Sequence, residues 1–325
     1  MKIELIPTIS EIAIREWEKA KLDFSSLDGV YSFAFLNEQI ETLIKPQYLR
    51  VCDNNFITFC LVHSLDVNIF SKKSELGWLV DFFKDYFGDE ILNHVLSERK
   101  EKISLIILPA LSKVDTLGCV ENIRTSFMNT KSTSLVFSTV HSIDELGYMN
   151  VPQEPLLYVD LSNIQSYDSF LASLPSKKRT SLTRDEKSLI ENDIIVKPIK
   201  VNDYLDEILK LNAESKYSAL DATIKQIPLL EKQEYISTIG LFKNEKLVQY
   251  ISVLFDFNVK ISHVLASNLN EETKQWNGAF NTYRLFIKES IRYDVEKAYL
   301  SFKAENAKIK RGAIKLVRYL TVYKS

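Results

Sequence analysis

The sequence predicts a mixed α/β (α+β) chain folded as two domains. Three observations carry this expectation. The 325 residues exceed one ordinary domain and suit two of about 150 residues each. Short apolar runs with strand character alternate with helix-periodic segments in both halves. Near residue 150 the texture changes, where Pro152 and Pro155 bracket a short stretch, dividing the chain into residues 1–153 and 154–325.

In the first half, Glu11 to Lys21 has a helical period (Ile12, Ala13, Glu16, Trp17, Ala20) with Ser10 as its cap. Asp28-Gly29 breaks the chain, and Phe33 to Ile44 is a second amphipathic helix. Tyr48 to Cys52 and Phe56 to Val62 read as paired strands around an Asp53-Asn54-Asn55 turn. Leu76 to Phe87 and Asp89 to Glu98 are helical. Ile103 to Leu108 is almost wholly apolar and ends at Pro109, which suits a strand buried on both faces. Cys119 to Met128 is a helix and Ser134 to Thr139 a strand. Ser142-Ile143-Asp144-Glu145 is a capping box that opens a further helix. Leu156 to Leu161 is a strand leading into the second half.

There, Tyr167 to Leu174 is a short helix, and Ser173-Leu174-Pro175 suits the start of another, because proline fits a first helical position. Ser176 to Asn192 is a long polar helix, and Asp193 to Lys200 is a strand. Val201 to Leu220 and Lys225 to Tyr235 are helical. Ile236 to Phe242, Leu247 to Phe257 and Val259 to Ser267 form three antiparallel strands. A polar loop, Asn268 to Asn277, feeds a helix from Gly278 to Tyr293. Ala298 to Phe302 is a strand, Glu305 to Lys310 a short helix, and Leu316 to Tyr323 the last strand.

Composition narrows the function. Hydrophobic residues at 46% and charged residues at 26% suit packed cores. A net charge of −2 argues against coating nucleic acid or anionic lipid over the whole surface, so no DNA partner is expected. Three cysteines (Cys52, Cys60, Cys119) read as reduced thiols. No segment has the ~18 apolar residues of a membrane span, and the start has no leader-like apolar core, so a cytoplasmic location is the expectation. His63, His94, His141 and His263 stand far apart and form no metal-ligand pair, so no metal is expected. Eight glycines are too few for glycine-rich phosphate loops, and neither a Gly-x-Ser-x-Gly elbow nor a Walker pattern occurs.

The most informative segment is Phe170-Leu171-Ala172-Ser173-Leu174-Pro175-Ser176-Lys177-Lys178-Arg179, followed by Arg184. It resembles the signature of FemAB-like proteins in the GNAT acyltransferase superfamily: an aromatic residue, a Leu-Ser-x-Lys-x-Arg run and a basic helix. Pro175 is inserted between the Leu and the Ser. Leu241 to Val248 looks like the hairpin of that superfamily. Gln275-Trp276-Asn277-Gly278-Ala279-Phe280 looks like its acyl-CoA loop, and Lys308 with Gly312 like its late Lys-x-x-x-Gly turn. The resemblance covers about half the chain, Leu157 to Tyr323, and implies tandem GNAT-like domains, the first a degenerate copy. Two departures are Phe280, where a second small residue is usual, and Tyr299 to Lys303, where relatives carry an acidic-glycine element.

The resemblance implies an N-acyltransferase that moves an acyl group from an acyl-CoA to an amine acceptor. The diphosphate would sit at Gln275, Gly278, Ala279 and Phe280, on a helix N-terminus whose N–H groups favour anions. Main-chain donors near Val264 would face the thioester oxygen. His263 is a candidate base, with Glu305 and Tyr299 as alternative proton handlers; each also reads as an ordinary packed residue. Lys178, Arg179, Arg184 and Lys308 are candidate substrate-binding cations. Equally, the basic run reads as a solvated face paired with Asp185, Glu186 and Glu191, and Asn277 as a plain cap. Two other functions compete. One is an aminoacyl-tRNA-dependent transferase acting on a cell-wall precursor, against which the lack of a long inserted helical hairpin counts. The other is a binding module that kept the fold and lost the chemistry.

Overall fold

The computed structural model describes residues 2–24, 29–38, 46–53, 56–67, 77–127, 132–145, 147–215, 219, 221–300 and 304–323. The chain divides into an N-terminal unit, residues 1–155 with 316–325, and a C-terminal unit, residues 156–315.

The N-terminal unit is built on a seven-stranded mixed sheet. Its strands are β1 (Lys2–Ile6), β2 (Gln47–Asp53), β3 (Phe56–Asp66), β4 (Lys102–Ile107), β5 (Thr133–Thr139), β6 (Tyr148–Pro152) and the last strand of the chain, β14 (Tyr319–Tyr323). Their order is β1-β2-β3-β4-β5-β14-β6. Helices α1 (Ile14–Ala20), α2 (Tyr31–Asn37), α3 (Gly77–Ser97) and α4 (Lys113–Phe127) accompany it. Gly88, at φ 68°, interrupts α3 where the sequence predicts two helices. Strand β4 is buried as its apolar run predicts, beside Val136, Leu320 and Val322 on one face and Val120, Ile123 and Phe137 on the other.

Two expectations are corrected here. The capping box at Ser142 opens no helix. Ser142 hydrogen-bonds Asp144, while the Asn150 side chain accepts from the Ile143 N–H (3.0 Å) and donates to its carbonyl (2.5 Å), bending the chain into β6. Nor does the second domain run from 154 to 325. Strand β14 pairs with both β5 and β6, and Leu320 and Val322 complete the first unit's core. Strand β1 was not anticipated from the sequence. Leu76, Met128, Leu220, the Asn54-Asn55 turn, residues 39–44 of the second helix and Ser301 to Lys303 lie outside the described residues.

The C-terminal unit repeats the plan. Its strands are β7 (Leu156–Asp160), β8 (Ile195–Ile199), β9 (Ile236–Lys243), β10 (Lys246–Asp256), β11 (Ile261–Ser267), β12 (Lys297–Leu300) and β13 (Ile314–Leu316). They lie in the order β13-β7-β12-β11-β10-β9-β8. Read from the opposite edge, the two sheets match strand for strand: four antiparallel strands, one parallel step (β4–β5, β11–β12), then an antiparallel strand from elsewhere in the sequence (β14, β7), then an edge strand. Helices α5 (Tyr167–Ser173), α6 (Ser176–Glu191), α7 (Leu205–Ala213), α8 (Asp221–Lys232), α9 (Gly278–Arg292) and α10 (Glu305–Ile309) complete the unit. Ser166 caps α5 in a reciprocal box with Ser169. Alternate residues of the sheet (Leu157, Val159, Ile251, Val253, Ala298, Leu300) form one core with Leu182 and Leu189 of α6 and Phe286 and Ile287 of α9.

Candidate active site

Each sheet has one parallel step, and the step of the C-terminal unit holds two of the candidate residues. In the N-terminal unit β4 and β5 stay paired over six positions, from Lys102–Thr133 to Ile107–Ser138. In the C-terminal unit β11 and β12 pair, among the described residues, at Ile261–Lys297, Ser262–Ala298 and His263–Tyr299, and the residues just after Leu300, Ser301 to Lys303, lie outside the described residues. Strand β11 runs on through Val264 to Ser267. Against β10, a bulge makes Leu265 the extra residue, which twists this stretch further.

Helix α9 begins after the polar loop that follows β11. Its N-cap, Asn277, sits in the left-handed region at φ 53°, its side chain makes no capping hydrogen bond, and no acidic residue occupies the first turn. The plain-cap reading of Asn277 is thereby removed. The carbonyls before the helix are held by side chains. Ser188 Oγ (2.9 Å) and Asn281 Nδ2 (2.7 Å) donate to the Trp276 carbonyl, and Asn192 Nδ2 (3.3 Å) donates to that of Gln275. The helix start thus presents amides, with Ala279 exposed beside them. The corresponding helix of the other unit, α4, is closed: Ser112 Oγ accepts from the Asp115 N–H (3.2 Å) and Asp115 puts a carboxylate in the first turn.

Gly278 has a role other than the one its motif suggests. A Cβ there would lie 2.5 Å from Thr273 Cβ and 2.8 Å from the Thr273 carbonyl oxygen, so glycine is required for packing under the loop. Trp276 is fully buried and donates through Nε1 to Gln249 Oε1 (2.9 Å), a core residue rather than a stacking platform. Gln249 Nε2 in turn donates to the Gly278 carbonyl (3.1 Å) and Thr282 Oγ1 (2.8 Å). Phe280 is half-buried, and the Arg311 guanidinium lies 3.6 Å from its ring centroid. Arg311 also makes a two-pronged pair with the buried Asp185 of α6 (Nε 2.7 Å, Nη2 3.2 Å).

The structure brings His263 and Tyr299 together as stacked rings 5.2 Å apart, with Tyr158 beyond at 5.9 Å from Tyr299. Gln275, Gly278, Ala279 and Phe280 share the start of α9, with Gln275 exposed. Glu305 and Lys308 lie apart on α10, where Glu305 pairs with Lys315. On α6, Lys178 is half-buried and Arg179 and Arg184 are exposed. The nearby acids serve other partners: Asp185 holds Arg311, Glu186 holds Arg284 and Lys288, and Glu191 holds Lys187. Among the described residues no carboxylate pairs with Lys178, Arg179 or Arg184, so the charge-paired reading survives only for Lys187. Sequence reasoning missed Gln249, Asn281 and the Asp185–Arg311 pair. The pair spans 126 positions, and no local pattern announces it.

No protein-family model matches the chain, and no curated protein matches it. Solved structures do. A conserved protein of unknown function from Bacteroides thetaiotaomicron has a TM-score of 0.60 at 12% identity, covering 99% of this chain and 100% of that one. FemX has a TM-score of 0.59 at 8% identity, covering 98% and 97%. L-PGS from Bacillus licheniformis has a TM-score of 0.56 at 9% identity, covering 96% and 91%. At these identities the likeness is one of fold. The chain has the fold of tandem GNAT-like domains, each a mixed seven-stranded sheet flanked by helices.

Proposed function

We propose that the chain is an N-acyltransferase that uses an acyl-CoA and an amine acceptor, with its chemistry in the C-terminal unit. One observation carries this reading: the N-terminus of α9 has no side-chain cap and no acidic residue in its first turn. The α9 amides suit a diphosphate, and an extended thioester arm fits along the β11 main chain. There the N–H groups from Val264 onward would take up the charge that develops on the thioester oxygen. The amine attacks the thioester carbon, a C–N bond forms and the C–S bond breaks. The amine's proton leaves through a base and the thiolate is protonated. His263 and Tyr299, whose rings stack across paired strand positions, are the candidates for these transfers. A fold shared with FemX and L-PGS supports a transferase.

The test is thermal unfolding with a panel of acyl-CoAs, which should raise the midpoint by mass action. Ala279→Asp should abolish that rise. An acid at this exposed position stabilises the helix start by about 0.3–1 kcal/mol while repelling the diphosphate. Ligand response unchanged in this variant would overturn the reading. The α6 cations without carboxylate partners favour the aminoacyl-tRNA reading as second choice. It requires tRNA retention that weakens steeply with salt and survives Ala279→Asp.

A further inference from the structure

Among the described residues, three arginines are more than nine-tenths buried: Arg284, Arg311 and Arg318, at 3%, 4% and 5% exposure. Two are neutralised. Arg284 reaches Glu186 (2.6 Å), and Arg311 reaches Asp185. Arg318, in the N-terminal unit, differs. Its Nη2 donates to Tyr86 Oη (2.9 Å) and Ser138 Oγ (2.6 Å), and both acceptors are uncharged. A guanidinium carries five N–H donors, so three remain on Nε and Nη1. Among the described residues, no carboxylate and no carbonyl takes them.

Neither nitrogen is an enclosed atom without a partner, so these donors face space that solvent reaches. The side chain is also held in place. The Arg318 carbonyl accepts from the Gln153 N–H (2.8 Å), and the next residue enters β14 between β5 and β6. Ser138 Oγ donates to Gln153 Oε1 (3.2 Å), and Gln153 Nε2 donates to the Tyr86 carbonyl (3.3 Å). A ring of neutral groups from α3, β5 and the β6 end thus fixes one face of the guanidinium. Ser138 lies opposite Ile107, the last residue of β4, so this frame stands at the carboxyl end of the N-terminal unit's own parallel step.

We propose that Arg318, framed by Ser138, Tyr86 and Gln153, binds a small oxyanion, a carboxylate or phosphate group, in the N-terminal unit. Such an anion supplies the missing charge and several acceptor oxygens for the three remaining donors.

The experiment uses the full chain carrying Ala279→Asp, which removes the proposed α9 anion site. Thermal unfolding is followed in sodium phosphate, sodium acetate and sodium chloride at equal ionic strength. Phosphate or acetate should raise the midpoint saturably while chloride does not, and the stronger of the two names the source. Adding Arg318→Met should erase the response. Where Arg318→Met does not fold, Arg318→Lys keeps the charge and loses the multiple donors, and half-saturation should move up by about tenfold. Equal midpoints in all three salts, or an undiminished response in either variant, would refute the site.

Discussion

At the scale of single residues, burial decides what each charge does. Asp185 is sealed against Arg311, and its carbonyl receives Asn281 Nδ2 (2.8 Å). Asp185→Asn should lower stability by about 3–5 kcal/mol in urea unfolding, because it strands a buried guanidinium. Asp185→Leu with Arg311→Met should recover most of that loss, and a double variant as unstable as the single one contradicts the account. Glu231 of α8 behaves differently. Burial raises its carboxyl above 4.5, and the Val201 N–H that it accepts only partly offsets this. A raised carboxyl binds its proton more tightly in the folded chain. Its ionisation therefore destabilises the fold as pH rises through the folded value. Glu231→Gln should raise the unfolding midpoint at pH 7, and the gain should vanish below the unfolded carboxyl range. A gain that persists there would point to another cause.

At the scale of elements, the loop and helix around Gly278 form one packed piece. Trp276 in the loop and Gly278 and Thr282 of α9 are tied through the single side-chain amide of Gln249 on β10. Gly278→Ala forces the loop backbone to move and should cost about 1–3 kcal/mol. Ala279→Gly, one residue on and exposed, should cost no more than about 1 kcal/mol, the loss of helix propensity. Equal losses at both positions would deny the packing role of Gly278. The turn after α10 is tied in a related way. Gly312, at φ 109°, packs on Leu174 and Phe170, so the signature segment and the late glycine turn meet as scaffold.

At the scale of the whole molecule, each sheet takes in a strand from a distant part of the sequence. A chain ending at Lys315 lacks β14, exposes the β5 and β6 edges and removes Leu320 and Val322 from the core. Hydrogen exchange should show β4 and β5 amides losing protection while β9 to β11 keep theirs. Unchanged protection in β4 would mean that β14 is dispensable.

Much of the fold was legible in the sequence because it rests on local period and punctuation. The apolar run Ile103 to Leu108 marked β4, Gly88 marked the break in α3, and the polar loop before Gly278 marked the start of α9. The failures share a cause. Ser142 carries sound capping chemistry, but Asn150 competes for the same backbone through a tertiary contact. Leu316 to Tyr323 reads correctly as a strand, yet a period-two pattern cannot say which sheet receives it.

The site divides in the same way. Residue types and their order fixed the candidate loop, the basic helix and the histidine strand. Tertiary structure alone showed that His263 and Tyr299 stack, that α9 is uncapped while α4 is closed, and that the acids of α6 are engaged elsewhere. It alone also left Arg318 buried with no carboxylate partner among the described residues. The physical reason is range: capping, period and turn chemistry act over a few residues, whereas charge compensation and ring contacts depend on groups that only folding brings together.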